Sequence, residues 1–173
     1  KAGDEKAFEE YDNLIKHYSG IMDAEIRSEE LLQRVMISYM KPVSATEDLA
    51  GQLSAYCDAL VILSEKYDSP LIFYNMYLVW VYRFEVFQDF MAMLEVCSRA
   101  GQYIEEHPDY QQKDKLEIFQ LKKMVAYLHL RDFKNGRVSA EKGLQIFEEG
   151  TLEWFAFMEY YLLLALHTGN YIN

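Results

Sequence analysis

Histidine and cysteine are the residues of this chain best suited to bind a metal or act as nucleophiles, but neither occurs in a spacing that supports such chemistry. No histidine has a glutamate three residues before it, and no HExxH motif occurs, so the signatures of di-iron bundles and zinc proteases are missing. The two cysteines lie in apolar runs with no CxxC pair. We therefore expect no metal centre and no cofactor, and two reduced cysteines that serve packing. The residues concerned are His17, His107, His129, His167, Cys57 and Cys97.

Motifs for phosphate binding or serine hydrolysis are also missing. The eight glycines are isolated from one another, so the sequence contains no GxGxxG, GxxxxGK or GxSxG. Acidic doublets such as Glu105-Glu106 are adjacent residues, which diverge on a helix by about 100° and do not face each other. We expect the protein not to be an enzyme. An unrecognised helical active site, with polar groups converging in a closed pocket, is the alternative.

Composition narrows the classes of partner. The chain has 173 residues, 51% hydrophobic residues and a formal charge of −11, which predicts one compact domain or a short repeat array. This acidity argues against binding of nucleic acid or of an anionic membrane surface. The longest apolar stretch, Leu71 to Tyr82, is shorter than the ~20 residues of a membrane span. We expect a cytoplasmic protein, and from its first and last residues, Lys1 and Asn173, a fragment of a longer one.

The periodicity of the apolar residues predicts helices throughout, because they recur three and four positions apart and β-branched alternation is almost absent. Glycine, proline and Asx residues separate these segments. We expect the first helix to end at Ser19-Gly20 and the third to begin at Ser44 or Thr46 as N-cap. The eight predicted helices cover about residues 4–18, 24–40, 44–67, 71–84, 88–106, 113–130, 134–149 and 151–167.

Three of the predicted turns resemble one another. Each places an aromatic residue just after the turn, namely Phe90, Phe133 and Tyr171. After Phe133, Gly136, Ala140 and Gly143 follow at helical spacing, where a neighbouring helix could approach closely. A weaker version, with Cys97 and Ala100, follows Phe90.

This arrangement resembles the tetratricopeptide repeat (TPR), whose helix A ends in Gly-Asp-Tyr and whose helix B carries spaced alanines. The resemblance covers residues 68–173, with the last repeat truncated. The aromatics are spaced 133 − 90 = 43 and 171 − 133 = 38 residues apart, against 34 in the standard repeat, and Arg131 stands where the family has its turn glycine. It implies an all-α fold of antiparallel helix pairs stacked in a right-handed superhelix, and the alternative is an irregular helical bundle. Residues 1–67 are expected to form degenerate repeats or a cap.

The resemblance also implies a concave face, lined by A helices, that binds a peptide. Lys122 and Arg131 belong to a locally basic segment, residues 111–142, and would steer an acidic group of the partner; ordinary solvated lysines are the alternative. The remaining residues that the repeat register places on this face are Asn75, Leu78, Tyr82, Leu121, Val125, His129, Leu163 and His167.

Two of these assignments leave an alternative open. Asn75 lies in an otherwise apolar helix, so its amide must either face a cavity or bond a neighbouring helix. His129 and His167 could interact with helix C-termini instead of a ligand. The sequence thus predicts a non-catalytic scaffold that binds a protein or peptide. The second hypothesis is a ligand-sensing or oligomerisation module of a larger bacterial regulator or signalling protein.

Overall fold

The computed structural model describes residues 2–39, 49–108 and 113–169, and within these ranges it is all-helical. No described helix combines the length and the apolar character that crossing a membrane requires. The chain divides into two compact units, Lys1–Val79 and Trp80–Asn173, with the boundary inside the third helix. The described helices are α1 (Ala2–Tyr39), α2 (Leu49–Lys66), α3 (Pro70–Phe87), α4 (Phe90–Glu106), α5 (Lys113–His129), α6 (Phe133–Ile146) and α7 (Leu152–Thr168).

The first unit corrects the prediction that a helix ends at Ser19-Gly20, since α1 runs through both residues. One helical glycine costs only about 1 kcal/mol relative to alanine, which is too little to end a long helix. A Cβ at Gly20 would lie 3.5 Å from the Tyr67 ring, so the glycine faces that ring. The predicted caps Ser44 and Thr46 lie outside the described residues. Whether residues 1–67 act as a cap stays a prediction.

Polar side chains join α1 to the start of α3 in this unit. The Ser69 hydroxyl donates to the Glu25 carboxylate at 2.6 Å, and the Asn75 amide donates to Ser28 Oγ at 3.0 Å and to Glu29 Oε1 at 2.9 Å. Asn75 is fully buried. These bonds position α3 on one face of α1, since a buried amide without them would carry a desolvation cost.

In the second unit, two turns share one backbone geometry. Gln88 and Arg131 both have φ of 57°, in the left-handed region that glycine favours. The next amides close the helix ends, Asp89 N–H donating to Phe84 C=O and Asp132 N–H to Tyr127 C=O, each at 2.9 Å. Each aspartate then caps the following helix, its carboxylate accepting from a backbone N–H three residues on.

The C-terminus of α7 has the same left-handed residue after the helix. Gly169 has φ of 68° and donates its N–H to Leu166 C=O, in the position that Gln88 and Arg131 occupy in their own turns. Arg131 therefore takes the left-handed conformation that Gly169 takes after α7, which costs a non-glycine residue about 1 kcal/mol or more.

Small residues let α6 approach α7 closely. A Cβ at Gly136 would lie 2.9 Å from Leu164 and 3.1 Å from the Tyr127 side chain, and a Cβ at Gly143 would overlap the Phe157 ring. Phe157, Leu164, Met124 and Ala140 are fully buried together. The predicted contact face of the glycines is thus present, and it serves α7 as well as α5.

We expect Gly143→Ala to lower the free energy of unfolding by about 1–3 kcal/mol, because the new methyl group must displace the Phe157 ring. Gly101→Ala is the matched control. Gly101 is also buried in a helix, but its Cβ would meet nothing within 4 Å, so alanine should be neutral or stabilise by up to about 1 kcal/mol. Urea denaturation of both variants measures the difference, and equal midpoints would contradict the close α6–α7 packing.

Candidate functional site

The ten residues predicted to line a binding face differ widely in accessibility. Asn75, Leu78 and Tyr82 are buried, so a partner cannot reach their side chains in this structure. Leu121, Lys122 and Val125 are half-buried on α5. The exposed members are His129, Arg131, Leu163 and His167.

For Asn75 the alternative interpretation is correct as far as its amide nitrogen is concerned. Both amide hydrogens are directed to α1, onto Ser28 and Glu29. Asn75 is therefore a contact between helices in the first unit and does not present an amide to a peptide.

Exposure increases along the second unit at positions equally distant from the left-handed turn residues Gln88, Arg131 and Gly169. Six residues before the left-handed turn residue stand Tyr82, Val125 and Leu163; Tyr82 is 6% exposed, Val125 is half-buried and Leu163 is 37% exposed. At this position only the residue of α7, Leu163, is exposed.

The neighbouring position behaves in the same way and was missed by sequence reasoning. Seven residues before the turn residue, Val81 and Met124 are fully buried, whereas Leu162 is 42% exposed. Leu152, Phe155 and Leu166 are exposed as well, and their spacing from Leu162 places all four on one side of α7. We call this set, Leu152, Phe155, Leu162 and Leu166, the α7 face.

His129 and His167 take part in ring stacking at equivalent places. His129 stacks on Phe90 with centroids 4.1 Å apart and planes 4° apart, and His167 stacks on Phe133 at 4.7 Å and 6°. Each histidine thus covers the aromatic residue that follows the preceding turn. One face of each imidazole is used for packing, and an interaction with the helix C-terminus stays a prediction.

Lys122 is engaged inside the second unit. Its Nζ lies 2.5 Å from Glu85 Oε2, with 14% and 19% of the two side chains exposed, and 5.1 Å from the centre of the Tyr82 ring. The positive charge of Lys122 is therefore largely neutralised by the Glu85 carboxylate. Of the two cations predicted to steer an acidic partner, Arg131 is the exposed one.

Burial sets the ionisation of the groups around this ion pair. It raises the pKa of Tyr82, with Glu85 adding to the effect, and it raises the pKa of Tyr160 in the same direction. It raises the pKa of the Cys97 thiol to about 12, although Lys123 and Lys122 act in the opposite sense. Burial also lowers the pKa of Lys123. All four shifts favour the neutral form. For Tyr82, Tyr160 and Cys97 the neutral form is the weaker nucleophile, which suits packing better than nucleophilic chemistry.

The described residues form a surface groove but no cluster of metal-binding side chains. Among the described residues, no group of three histidine, cysteine or acidic side chains is placed to hold a metal ion. In the first unit, a groove of about 620 Å³ runs beside α1 and the start of α3, with Met22, Ile26 and Leu71 as apolar lining and Glu25 and Glu29 among its carboxylates.

Comparison with known proteins gives no relative: no known protein family, no curated protein and no solved structure matches this chain. The repeated turns, the stacked rings and the α7 face are therefore the basis for a functional proposal.

We expect Lys122→Met to lower the free energy of unfolding by about 2 kcal/mol, because it leaves the Glu85 carboxylate buried without its cation. Adding Glu85→Gln should restore part of that loss, since the amide carries no charge. A double-mutant cycle by chemical denaturation measures the coupling energy. Additive losses from the two substitutions would show that the ion pair does not contribute to stability.

Cys97 is expected to react with a thiol reagent at pH 8 at least about 100-fold more slowly in the folded protein than after unfolding, because it is buried and its raised pKa keeps it a thiol. The unfolded thiol ionises near pH 9, below its folded pKa, so the stability this shift supplies is present below pH 9 and falls as the pH rises towards 12. A Cys57→Ala background isolates the labelling of Cys97. Rapid labelling in the native state would contradict its burial.

Proposed function

We propose that this chain is a non-catalytic protein-binding module built from TPR-like helix pairs, and that its partner docks on the α7 face. In the second unit the TPR-like pair is α5–α6, with α4 before it as the second helix of the preceding pair and α7 after it as the first helix of the next. Within the second unit, α5 contacts α4, α6 and α7, and α6 contacts α7. A stacked array of antiparallel pairs has this pattern of neighbours.

The recurring turn supports the repeat interpretation most directly. At residues 88–90 and again at residues 131–133, a left-handed residue is followed by a capping aspartate and then by an aromatic residue. In both cases the aromatic ring stacks on a histidine at the C-terminal end of the following helix, α5 or α7. The same contact thus recurs although the spacing of the turns differs, at 131 − 88 = 43 and 169 − 131 = 38 residues.

The single observation that carries the binding proposal is the exposure of Leu162. Its equivalents Val81 and Met124 are fully buried, and Met124 packs with Ala140 of α6. On α7 the equivalent side chain is 42% exposed, beside Phe155 and Leu166. A helix that covers this face as α6 covers α5 would bury a continuous apolar surface, and such burial drives association.

The equivalence of α5 and α7 suggests a defined probe, namely a peptide of residues 131–147, which spans α6 and its capping turn. We expect weak binding, with a Kd of about 0.1–1 mM, because a short peptide loses conformational entropy when it folds on the surface. Leu162→Asp should weaken binding at least about tenfold, since it places a charge in the apolar contact. Chemical shifts in a titration followed by NMR give both the affinity and the location.

Val138→Asp is the matched control, because Val138 is 43% exposed on α6 and lies outside the α7 face. The Val138→Asp protein should bind the peptide with the same affinity as the unchanged protein. If the peptide does not bind, or if Leu162→Asp binds it as well as Val138→Asp does, the proposed docking surface is wrong.

A further inference from the structure

Helix α1 has an apolar surface on two sides. One side is buried in the first unit and includes Ala24, Leu31 and Val35. The other side is exposed, and each of its large apolar side chains exposes more than half of its surface. These residues, which we call the α1 stripe, are Leu14, Ile15, Tyr18, Met22 and Ile26.

The exposure extends around the helix at its N-terminal end. Residues 12–19 are all exposed, so within the described part of the chain little apolar packing stabilises this part of α1. Most helical stability in proteins comes from the packing of an apolar face, and isolated helices are marginal in water. An exposed apolar stripe on such a segment therefore indicates an interface.

We propose that the α1 stripe pairs with the same stripe of a second copy of this chain, as an antiparallel coiled coil. This surface lies in the first unit and does not depend on the function proposed for α7.

The spacing of the stripe requires a helix as its partner. Ile15, Tyr18 and Met22 recur at alternating intervals of three and four residues, and in the sequence Phe8 and Tyr11 continue the same series. This heptad pattern forms one seam that a second helix can cover by knobs-into-holes packing. Leu14 widens the seam on one side and Ile26 on the other.

Charge selects the antiparallel orientation of two identical helices. Glu25 and Glu29 take the next two positions of the seam, and both accept hydrogen bonds from neutral donors, Ser69 and Asn75. In a parallel pair each glutamate would face its own copy across the axis, and opposed like charges destabilise.

An antiparallel pair removes this conflict. With the two-fold axis between residues 16 and 17, Ile15 lies opposite Tyr18 of the second copy, and the two copies of Met22 lie about 16 Å apart along the pair, at the 1.5 Å rise per residue of a helix. The glutamates then lie towards the two ends of the pair, well apart from those of the other copy. One sequence thus supplies both halves of the interface, as a two-fold symmetric contact requires.

The size of the stripe indicates a reversible dimer. More than half of five large side chains corresponds to roughly 500 Å² per copy, below the ~800 Å² per partner of a standard stable interface. We expect dimers that dissociate on dilution through the micromolar range.

Sedimentation velocity of the full chain over a range of concentrations tests the proposal. The unchanged protein should shift from monomer to dimer, and Ile15→Asp should raise the dimer dissociation constant at least about tenfold. Ile62→Asp is the control, because Ile62 is 65% exposed on α2, outside the stripe, and it should dimerise like the unchanged protein. Circular dichroism of each variant checks that its helices are retained.

Disulfide trapping determines the orientation in a Cys57→Ala, Cys97→Ala background. A mixture of Ile15→Cys and Tyr18→Cys proteins should form the mixed disulfide, whereas Met22→Cys alone should cross-link poorly, because its two copies lie apart in the antiparallel pair. A protein that stays monomeric at every concentration, or a dimer that Ile15→Asp leaves intact, overturns the interface. Efficient cross-linking of Met22→Cys to itself overturns the antiparallel arrangement.

Discussion

The close approach of α6 and α7 is the constraint on which the second unit depends. Gly143 leaves room for the Phe157 ring, and Gly136 does the same for Leu164. These two contacts fix the rotation of α7 about its own axis, because they determine which of its side chains point into the core. The exposed position of Leu162 and Leu166 follows from that rotation. A larger residue at either glycine would therefore affect both the core and the α7 face.

The turns show how the same contact can recur at unequal spacing. Gln88 and Arg131 adopt a left-handed conformation that favours glycine, and the capping aspartates and stacked rings that follow offset its cost. Because a turn of this type sets the direction of the next helix, its geometry matters more for stacking than the number of residues between turns. A fixed period of 34 residues is thus unnecessary for the neighbours seen around α5.

Buried polar groups connect particular helices within each unit. Asn75 and Ser69 bond α3 to α1 in the first unit, and Lys122 bonds Glu85 in the second. Each of these contacts is costly to break on one side only, because the remaining partner would stay buried without compensation. They specify one arrangement of helices that are otherwise covered with interchangeable apolar residues, which packing alone would discriminate less sharply.

The sequence by itself determined the helical class, the aromatic turns at Phe90 and Phe133 and the small residues that follow Phe133, because apolar periodicity, glycine and capping residues act locally. The third predicted turn aromatic, Tyr171, lies outside the described residues. The sequence also placed Leu163 and Arg131 on the surface, where the structure has them. It failed at Gly20, because one helical glycine costs only about 1 kcal/mol and does not end the long helix α1. It failed too at Asn75 and Tyr82, which the repeat register placed on the binding face together with Leu163 but which are buried. Only the tertiary structure decides which of two apolar faces is covered, as in α1 and α7, because an amphipathic pattern records that a face is apolar and not what lies against it.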